Sequence, residues 1–526
     1  MSVDPPAPDP AGIRILPDDT RYPSVSRGFN PRWHARPEYV RLVATPQEAA
    51  AALQEAVQES PRHPGKDRIT VRSGGHCYEN FVCAPDVRMI IDVSLMNGIY
   101  PDEEMGAVCI EAGATNGDLR KRLFLTTGKV LPGGSCPSVG AGGHVPAGGF
   151  GLLSRQYGLT VDYLYAVEVA VVRDGRVELV RASSDTDDIA LNDLWWAHTG
   201  GGGGNFGVLT RMWFRGLPTA PEHVILSAGG WKWSGIDKPS FTRIVQNFGD
   251  FFERHSEPDD PFGALFAILL LNHATQDKIG LIAQIDASVP DADRLMTEFH
   301  DAMTDGPHAE LALEPLTEGY GEYPAFSGLH TPTPLPWDTV EKLLGPVDNN
   351  RCGKHKSAYM QRPLPDHHID AMWDALTEDL GPGVKRDAVV QIDSYGSQVN
   401  VPAPDATAVD QRSSIIKLQH QVYWPAPGAG EAELAWIRRL YKTMYSDTGG
   451  VPVRQGPERK VSATDGCYIG YPDVDLNDPE WNESGQDCYR LYYGDNYQRL
   501  QRAKAYWDPD NVFRSAQSVR LPGAER

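Results

Sequence analysis

Apolar positions recur at helical spacing in some stretches of this chain and run or alternate as in strands elsewhere, and the two patterns predict its elements. Ala49, Leu53 and Val57 share one face of a predicted helix over Pro46–Glu59, with Thr45 as N-cap and Pro46 in the first turn. Strands are predicted at Ile69–Arg72, Met89–Val93 and Val108–Ala112, followed by a helix from about Asn116 to Thr127 that stops at Gly128. Two apolar runs within Tyr165–Val180 flank Asp174-Gly175, a hairpin signal. From about residue 217 the texture changes. Helix-period stretches (Phe241–His255, Ala292–Met303, His368–Leu380, Glu431–Tyr445) alternate with extended ones (Ala264–Leu271, Ile279–Ile285, Val389–Tyr395, Ile415–Trp424). That alternation predicts an α+β unit with a sheet covered on one face by helices.

The predicted organisation is a loose lead-in at 1–35, an N-terminal cofactor domain at 36–216, an inserted substrate domain at 217–459, and a segment at 460–526 that returns to the first domain. The return is suggested by its texture, which is again aromatic and glycine-rich. A formal charge of −21 repels phosphate backbones and anionic lipid, so nucleic-acid and membrane-surface partners are not expected. The longest apolar candidate, Phe262–Leu271, is far too short to span a bilayer, and the acidic, proline-rich N-terminus does not resemble a secretory signal. A cytoplasmic monomer or homodimer is the expectation. Seven scattered cysteines give neither a disulfide framework nor zinc spacing. His367 and His368 are adjacent and expected to point apart on a helix, so no metal site is predicted; the sequon at Asn482 is irrelevant without secretion.

Three glycine clusters carry the chemistry. The first is Arg72-Ser73-Gly74-Gly75-His76-Cys77-Tyr78, where glycines after a strand let backbone N–H groups converge on an anion; a tight turn with a surface histidine is the alternative. The second runs from Pro132-Gly133-Gly134-Ser135-Cys136 through Val139-Gly140-Ala141-Gly142-Gly143-His144 to Gly148-Gly149-Phe150-Gly151. So many glycines carry a high conformational-entropy cost on ordering, which a planar ring and a pyrophosphate lying against the backbone would justify. Cys136 taken alone reads as a small buried hydrophobe more readily than as a reactive thiol. The third is Trp195-Trp196-Ala197-His198-Thr199 followed by Gly200–Gly204, Asn205, Phe206 and Gly207. Residues 202–207 fit the G-x-G-x-x-G dinucleotide pattern, but Val208–Phe214 after them is strand-like where that fingerprint needs a helix.

Together these clusters, in this order and with Cys136 sixty residues after His76, resemble the berberine-bridge-enzyme-like FAD-linked oxidases of the vanillyl-alcohol-oxidase/PCMH superfamily. The tail agrees: Tyr468-Ile469-Gly470-Tyr471-Pro472-Asp473, then Tyr492-Tyr493-Gly494-Asp495-Asn496-Tyr497, then Asp508-Pro509-Asp510-Asn511-Val512-Phe513. The likeness is clear over 36–216 and 460–520, loose between, and nearest in flavour to bacterial antibiotic-tailoring oxidases. It implies a PCMH-type FAD-binding domain of two α/β subdomains around the inserted substrate domain with its antiparallel sheet.

It also implies a covalent FAD, joined through its 8α carbon to His76 and through C6 to Cys136; a single link through His76 is the alternative. Further flavin contacts are implied at Arg72, Ser73, Gly74, Gly75, Cys77, Ser94, Gly133, Gly134, Ser135, Val139, Gly140, Gly142, Gly143, His144, Gly148, Gly149, Gly151, Gly204, Gly207, Val208, Tyr493 and Asn496. The resemblance assigns Tyr471 as the base that takes a hydroxyl proton while hydride leaves for the flavin; packing against the flavin edge is the alternative. Two positions depart from the pattern. Gly470 stands where the family usually has Asn, and Phe150 where several relatives carry a second tyrosine. Strand alternation puts Gln391, Asp393 and Tyr395 on one face, and Lys417, Gln419, Gln421 and Tyr423 on another. With Phe150 these are the candidate substrate residues, and Asp393 a candidate aid to Tyr471; a solvated sheet face is the rival reading. The expected activity is oxidation of an alcohol or hemiacetal of a secondary metabolite, with O2 as acceptor and hydrogen peroxide released. The alternatives are a sugar oxidase, an oxidative cyclase, or a flavin-binding protein without catalysis.

Overall fold

The computed structural model describes residues 9–345, 350–454 and 462–523. Three sheets organise it. The first joins β1 (Ile13–Ile15), β2 (Tyr39–Leu42), β3 (Arg68–Arg72) and β4 (Val87–Asp92) in the order β1-β2-β4-β3. Its inner strands pair in parallel, while β1 is antiparallel to β2. So the expected loose lead-in supplies an edge strand, and from Asp9 onward it belongs to the first subdomain. The second sheet, in the order β5-β6-β9-β7-β8, comprises β5 (Ile99–Asp102), β6 (Ala107–Glu111), β7 (Leu164–Arg173), β8 (Arg176–Ser183) and β9 (Val208–Phe214). Strands β7 and β8 form the predicted hairpin, whose turn places Asp174 at φ 51° and Gly175 at φ 70°, as a type I′ turn requires. That β9 follows the third glycine cluster bears out the rejection of a Rossmann fingerprint there.

Thr45 caps the Pro46–Gln58 helix as predicted, its side chain accepting from the Glu48 N–H. The helix predicted from Asn116 carries a wide-turn segment at Leu119–Leu123 and ends at Gly128 in the left-handed region, φ 67°.

The third sheet begins after Phe214, close to the expected boundary at 217. It contains β10 (His223–Lys232), β11 (Phe266–Asn272), β12 (Lys278–Asp286), β13 (Glu314–Pro315), β14 (Thr333–Pro336), β15 (Cys352–Met360), β16 (Asp387–Ser394) and β17 (Ile416–Trp424). All its pairings are antiparallel, in the order β13-β10-β12-β11-β16-β17-β15, with β14 also on β10. One face is covered by helices. The Lys238–Arg254 helix buries Phe241, Ile244, Val245, Phe248, Phe251 and Phe252, each contributing roughly 1.5–3 kcal/mol of hydrophobic stabilisation. The helix predicted to reach Leu380 spans Asp366–Leu376 and ends where the Thr377 hydroxyl turns back to donate to the Trp373 carbonyl. The predicted boundary at 459/460 lies outside the described residues.

All seven cysteines are free, and no described helix is long and apolar enough to cross a membrane. Asn482 spends its side chain on the local turn, donating to the Leu476 and Gln486 carbonyls. His367 and His368 do not point apart: in the first turn of their helix the rings meet edge-on at 4.4 Å, and with Asp447 they form a loose cluster. Within it His367 Nε2 lies 3.3 Å from Asp447 Oδ1.

Candidate active site

The first two glycine clusters meet at the C-terminal end of β3. A Cβ on Gly74 would stand 2.4 Å from the Gly140 nitrogen, so glycine is required for the two loops to touch. Their contact brings the two candidate attachment residues together. His76 Nε2 lies 2.9 Å from the Ser138 hydroxyl, and Cys136 Sγ lies 3.6 Å from the same oxygen. Phe29 stacks on the His76 ring at 4.4 Å. Burial, then the nearby Glu322 carboxyl, push the Cys136 thiol above its ordinary range, so in this environment it rests protonated. His144 is half-buried at the cavity wall; desolvation first, then Lys417, Arg120 and His76, hold its imidazole down to about 3. It is therefore neutral, and its Nε2 accepts the Gly134 N–H at 2.9 Å.

These loops wall one side of a cavity of about 310 Å³ that continues past the third cluster to the third sheet. Arg72, Ser73, Gly74, Gly75, His76, Cys77, Gly134, Ser135, Cys136, Val139, Gly140, Gly142, Gly143, His144, Gly151, Gly204 and Gly207 all line it. A Cβ on Gly143 or Gly204 would meet no protein atom within 4 Å. Those glycines leave room facing the cavity, and with the paired nucleophiles they suit a long planar cofactor such as FAD. Seven expected contacts lie elsewhere. Gly133 and Gly149 back onto the His144 ring and Gly148 onto Val409, while Val208 sits in the β7–β9 ladder. Ser94 makes a turn on Asp92. The Tyr493 hydroxyl donates to the Gly201 carbonyl, and Asn496 donates to the Pro404 and Thr407 carbonyls. They shape the glycine loops from behind.

The predicted strand faces are correct in register. Ile268, Asp393, Lys417 and Tyr359 form one cross-strand row, and Leu270, Gln391, Gln419 and Ser357 the next. Phe150, Gln391, Asp393, Gln419 and Tyr471 reach the cavity; Tyr395, Lys417, Gln421 and Tyr423 stand behind them, buried. The face is thus a buried polar floor, not a solvated surface. Gln421 donates to Gln391, which donates to Asp393 at 2.7 Å. Burial pushes the Asp393 carboxyl up to about 6, against the Gln391 hydrogen bond and the Lys417 charge. Lys417 is fully buried and its Nζ makes no hydrogen bond. It lies 3.2 Å from the Phe150 ring centre, 3.5 Å from that of Tyr468 and 4.5 Å from that of Tyr471. Burial holds this amine well below the ordinary lysine range. Tyr471 is pushed the other way: burial, then Tyr78 and Asp393, hold its phenol well above 10.

Both departures from the family pattern now have a physical reading. A Cβ on Gly470 would fall 2.4 Å from the Tyr468 ring, so glycine lets that ring fold over the backbone and meet Tyr471 edge-on at 4.9 Å. Phe150 closes the same cage against Tyr468 at 5.9 Å and has no proton to exchange.

Sequence reasoning missed a turn between β13 and β14 that plants Glu322 and Tyr323 in the cavity. Glu322 accepts from the Tyr78 hydroxyl at 3.0 Å and from the Tyr423 hydroxyl at 3.5 Å. Burial raises its pKa, and those two hydrogen bonds with Arg351 oppose it. Tyr323 faces the cavity together with Ser135 of the second glycine cluster and Gln391 of the polar floor. Tyr78 also stacks on His355 at 3.6 Å and accepts a hydrogen bond from Gln419. The motif containing Tyr78 was the one available signal; nothing around Glu322 marks it.

Comparison with known proteins agrees with this site. A family model described as FAD binding domain matches residues 37–181, and one described as berberine and berberine like matches residues 467–520. The chain is 40% identical over 524 residues to the aclacinomycin-N/aclacinomycin-A oxidase of Streptomyces galilaeus, covering 97% of this chain and 90% of that one. It is 37% identical to the hexose oxidase of Chondrus crispus, covering 95% and 93%. Among solved structures it resembles a glycopeptide hexose oxidase complexed with teicoplanin (38% identity, TM-score 0.86, 97% of this chain and 98% of that one). It also resembles the oxidoreductase of the terminal step of gilvocarcin biosynthesis (35% identity, TM-score 0.87, 97% and 100%). The chain belongs to the berberine-bridge-enzyme-like, FAD-binding oxidases, an FAD-linked oxidase akin to the antibiotic-tailoring enzymes of bacteria.

Proposed function

We propose that this oxidase carries FAD on two covalent bonds, to His76 and Cys136, and oxidises an alcohol or hemiacetal carbon of a secondary metabolite, with Tyr471 taking the hydroxyl proton. The observation that carries the reading is the convergence of His76 and Cys136 on one hydroxyl, in a cavity that Tyr471 faces together with a row of amides and carboxyls. Bound FAD supplies the hydride acceptor and passes its electrons to O2.

The chain's own residues supply the rest. The polar floor of Gln391, Asp393 and Gln419, with Glu322 and the Tyr78 phenol, presents the donors and acceptors that a sugar's hydroxyls need. Those groups orient the carbon bearing the hydroxyl, and the aromatic cage of Phe150 and Tyr468 keeps water from the proton's path. A phenol held above 10 accepts a proton only if its own can move on. Asp393 and the Lys417 amine, directly opposed across β16 and β17, are the groups able to share it. Relatives named for aclacinomycin, hexose and a glycopeptide hexose support a sugar on a larger scaffold as the reacting part. A free-sugar oxidase is the second reading, favoured by the hexose oxidase relative.

Purified enzyme should keep its yellow colour through acid precipitation, and its tryptic flavopeptide should contain both His76 and Cys136. Peroxide release is then screened with anthracycline glycosides, glycopeptides, free hexoses and oligosaccharides. Tyr471→Phe should retain the attached flavin and lose at least about a hundredfold in turnover. A colourless precipitate, or unchanged turnover in that variant, overturns the assignment.

A further inference from the structure

Beneath the cavity the chain buries an ion cluster that the proton chemistry does not use. Lys354 and Lys356 share one face of β15, the face turned away from His355 and the cavity. Lys354 Nζ meets Glu79 at 2.5 Å and Asp473 at 2.6 Å; Lys356 meets Asp473 at 2.7 Å and Asp475 at 2.8 Å. Arg438, from the Glu431–Met444 helix, grips Asp475 with two hydrogen bonds. Three cations thus face three carboxylates. The two lysines and all three acids are 1–3% exposed at their side chains.

The places these groups occupy in the chain are what matter. Glu79 lies three residues beyond His76, and Asp473 two residues beyond Tyr471. The second oxygen of Glu79 has no partner, so Lys354 is its principal hold. A buried pair of this kind adds little net stability over an apolar substitute, but it fixes directions, and losing one partner strands a charge.

We propose that Lys354 is a positioning residue: it fastens the flavin-bearing loop and the Tyr471 loop to the same strand of the substrate sheet, setting their separation. This rests on the roles given above to His76 and Tyr471.

The test is deuterium exchange with mass spectrometry on the holoenzyme and its Lys354→Met variant. Exchange at residues 76–80 and at 471–476 should accelerate together, by roughly tenfold or more, with β11 and β12 unchanged. Lys354→Arg should bring both loops back to within about threefold of wild type. Acceleration in one loop only, in neither, or uniformly along the chain overturns the proposal, as does an arginine variant as loose as the methionine one. If Lys354→Met does not fold, the charge-matched Lys354→Met/Glu79→Gln pair replaces it, with both loops again expected to loosen and unchanged loops overturning the idea. Tyr471→Phe should leave exchange at both loops as in wild type. Full turnover in that variant would remove the proton role of Tyr471 and leave the exchange result standing.

Discussion

Lys417→Met should make this enzyme more stable and less active, and the two effects share one origin. The lysine is fully buried, its Nζ has no hydrogen bond, and three aromatic rings surround it. An ammonium there gains up to about 2 kcal/mol per well-placed ring, but leaving water costs it several kcal/mol, which the Asp393 carboxyl opposite it on β16 offsets only in part. Burial wins, and the amine is held well below its usual range. Between that lowered value and about 10.4 the unfolded chain binds a proton that the folded one does not, so wild-type stability rises with pH across this window at about 1.4 kcal/mol per unit. Methionine has nearly the same shape and no proton to lose. At the alkaline end its advantage is the relief of one unsatisfied buried amine, about 1–3 kcal/mol. Moving down in pH, the advantage grows at the slope just given until the folded lysine protonates too. Urea unfolding of both proteins from about pH 7 to about pH 10 checks this. A methionine variant less stable than wild type at high pH, or a gap that stays flat across the series, refutes the argument, because the lysine would then carry its charge in the folded protein throughout.

Cys136→Ser should yield enzyme whose flavin stays attached through His76 alone, read as a flavopeptide lacking residue 136. Gly470→Asn should lower stability by about 1–3 kcal/mol in urea unfolding, because its Cβ displaces the Tyr468 ring. Arg155→Met should be among the most damaging single changes, at about 3–5 kcal/mol. Its buried guanidinium donates from the first domain to the Leu265, Tyr395, His255 and Phe262 carbonyls of the second, which the variant leaves dry.

The helix at Pro46–Gln58 and the Asp174-Gly175 hairpin were legible because each is dictated within a dozen residues by a cap or a turn. The meeting of the glycine clusters was legible because close backbone approach leaves glycine as the residue that fits, as at Gly74. Strand β15 was not. Its Lys354, His355 and Lys356 carry no apolar pattern that marks a buried strand, yet all three are buried, the two lysines matched by carboxylates that lie far away in sequence. Strand β10 was hidden by Gly229-Gly230; a Cβ on Gly230 would fall 2.6 Å from the Ile279 carbonyl of β12 and 2.8 Å from the Leu316 side chain, so no side chain marks the pattern there. Glu322 escaped for the same reason as β15: an acid in a polar turn looks exposed until the Tyr78 and Tyr423 hydroxyls that bury it come into view. Alternation identified the correct floor residues but could not say which of them open onto the cavity, since that depends on Phe150 and Tyr468 in front of Lys417.

The glycine-rich loops around the cavity are closed by residues that come some three hundred positions later in the chain. Lys504 Nζ donates to the Asn205 and Phe513 carbonyls, and the Val519 N–H donates to the Asn205 side chain. The cradle therefore stays open, and lacks Tyr471, until residues 471–519 have joined the fold. A chain cut before Lys504 should take up flavin poorly, read as loss of yellow colour in the purified protein.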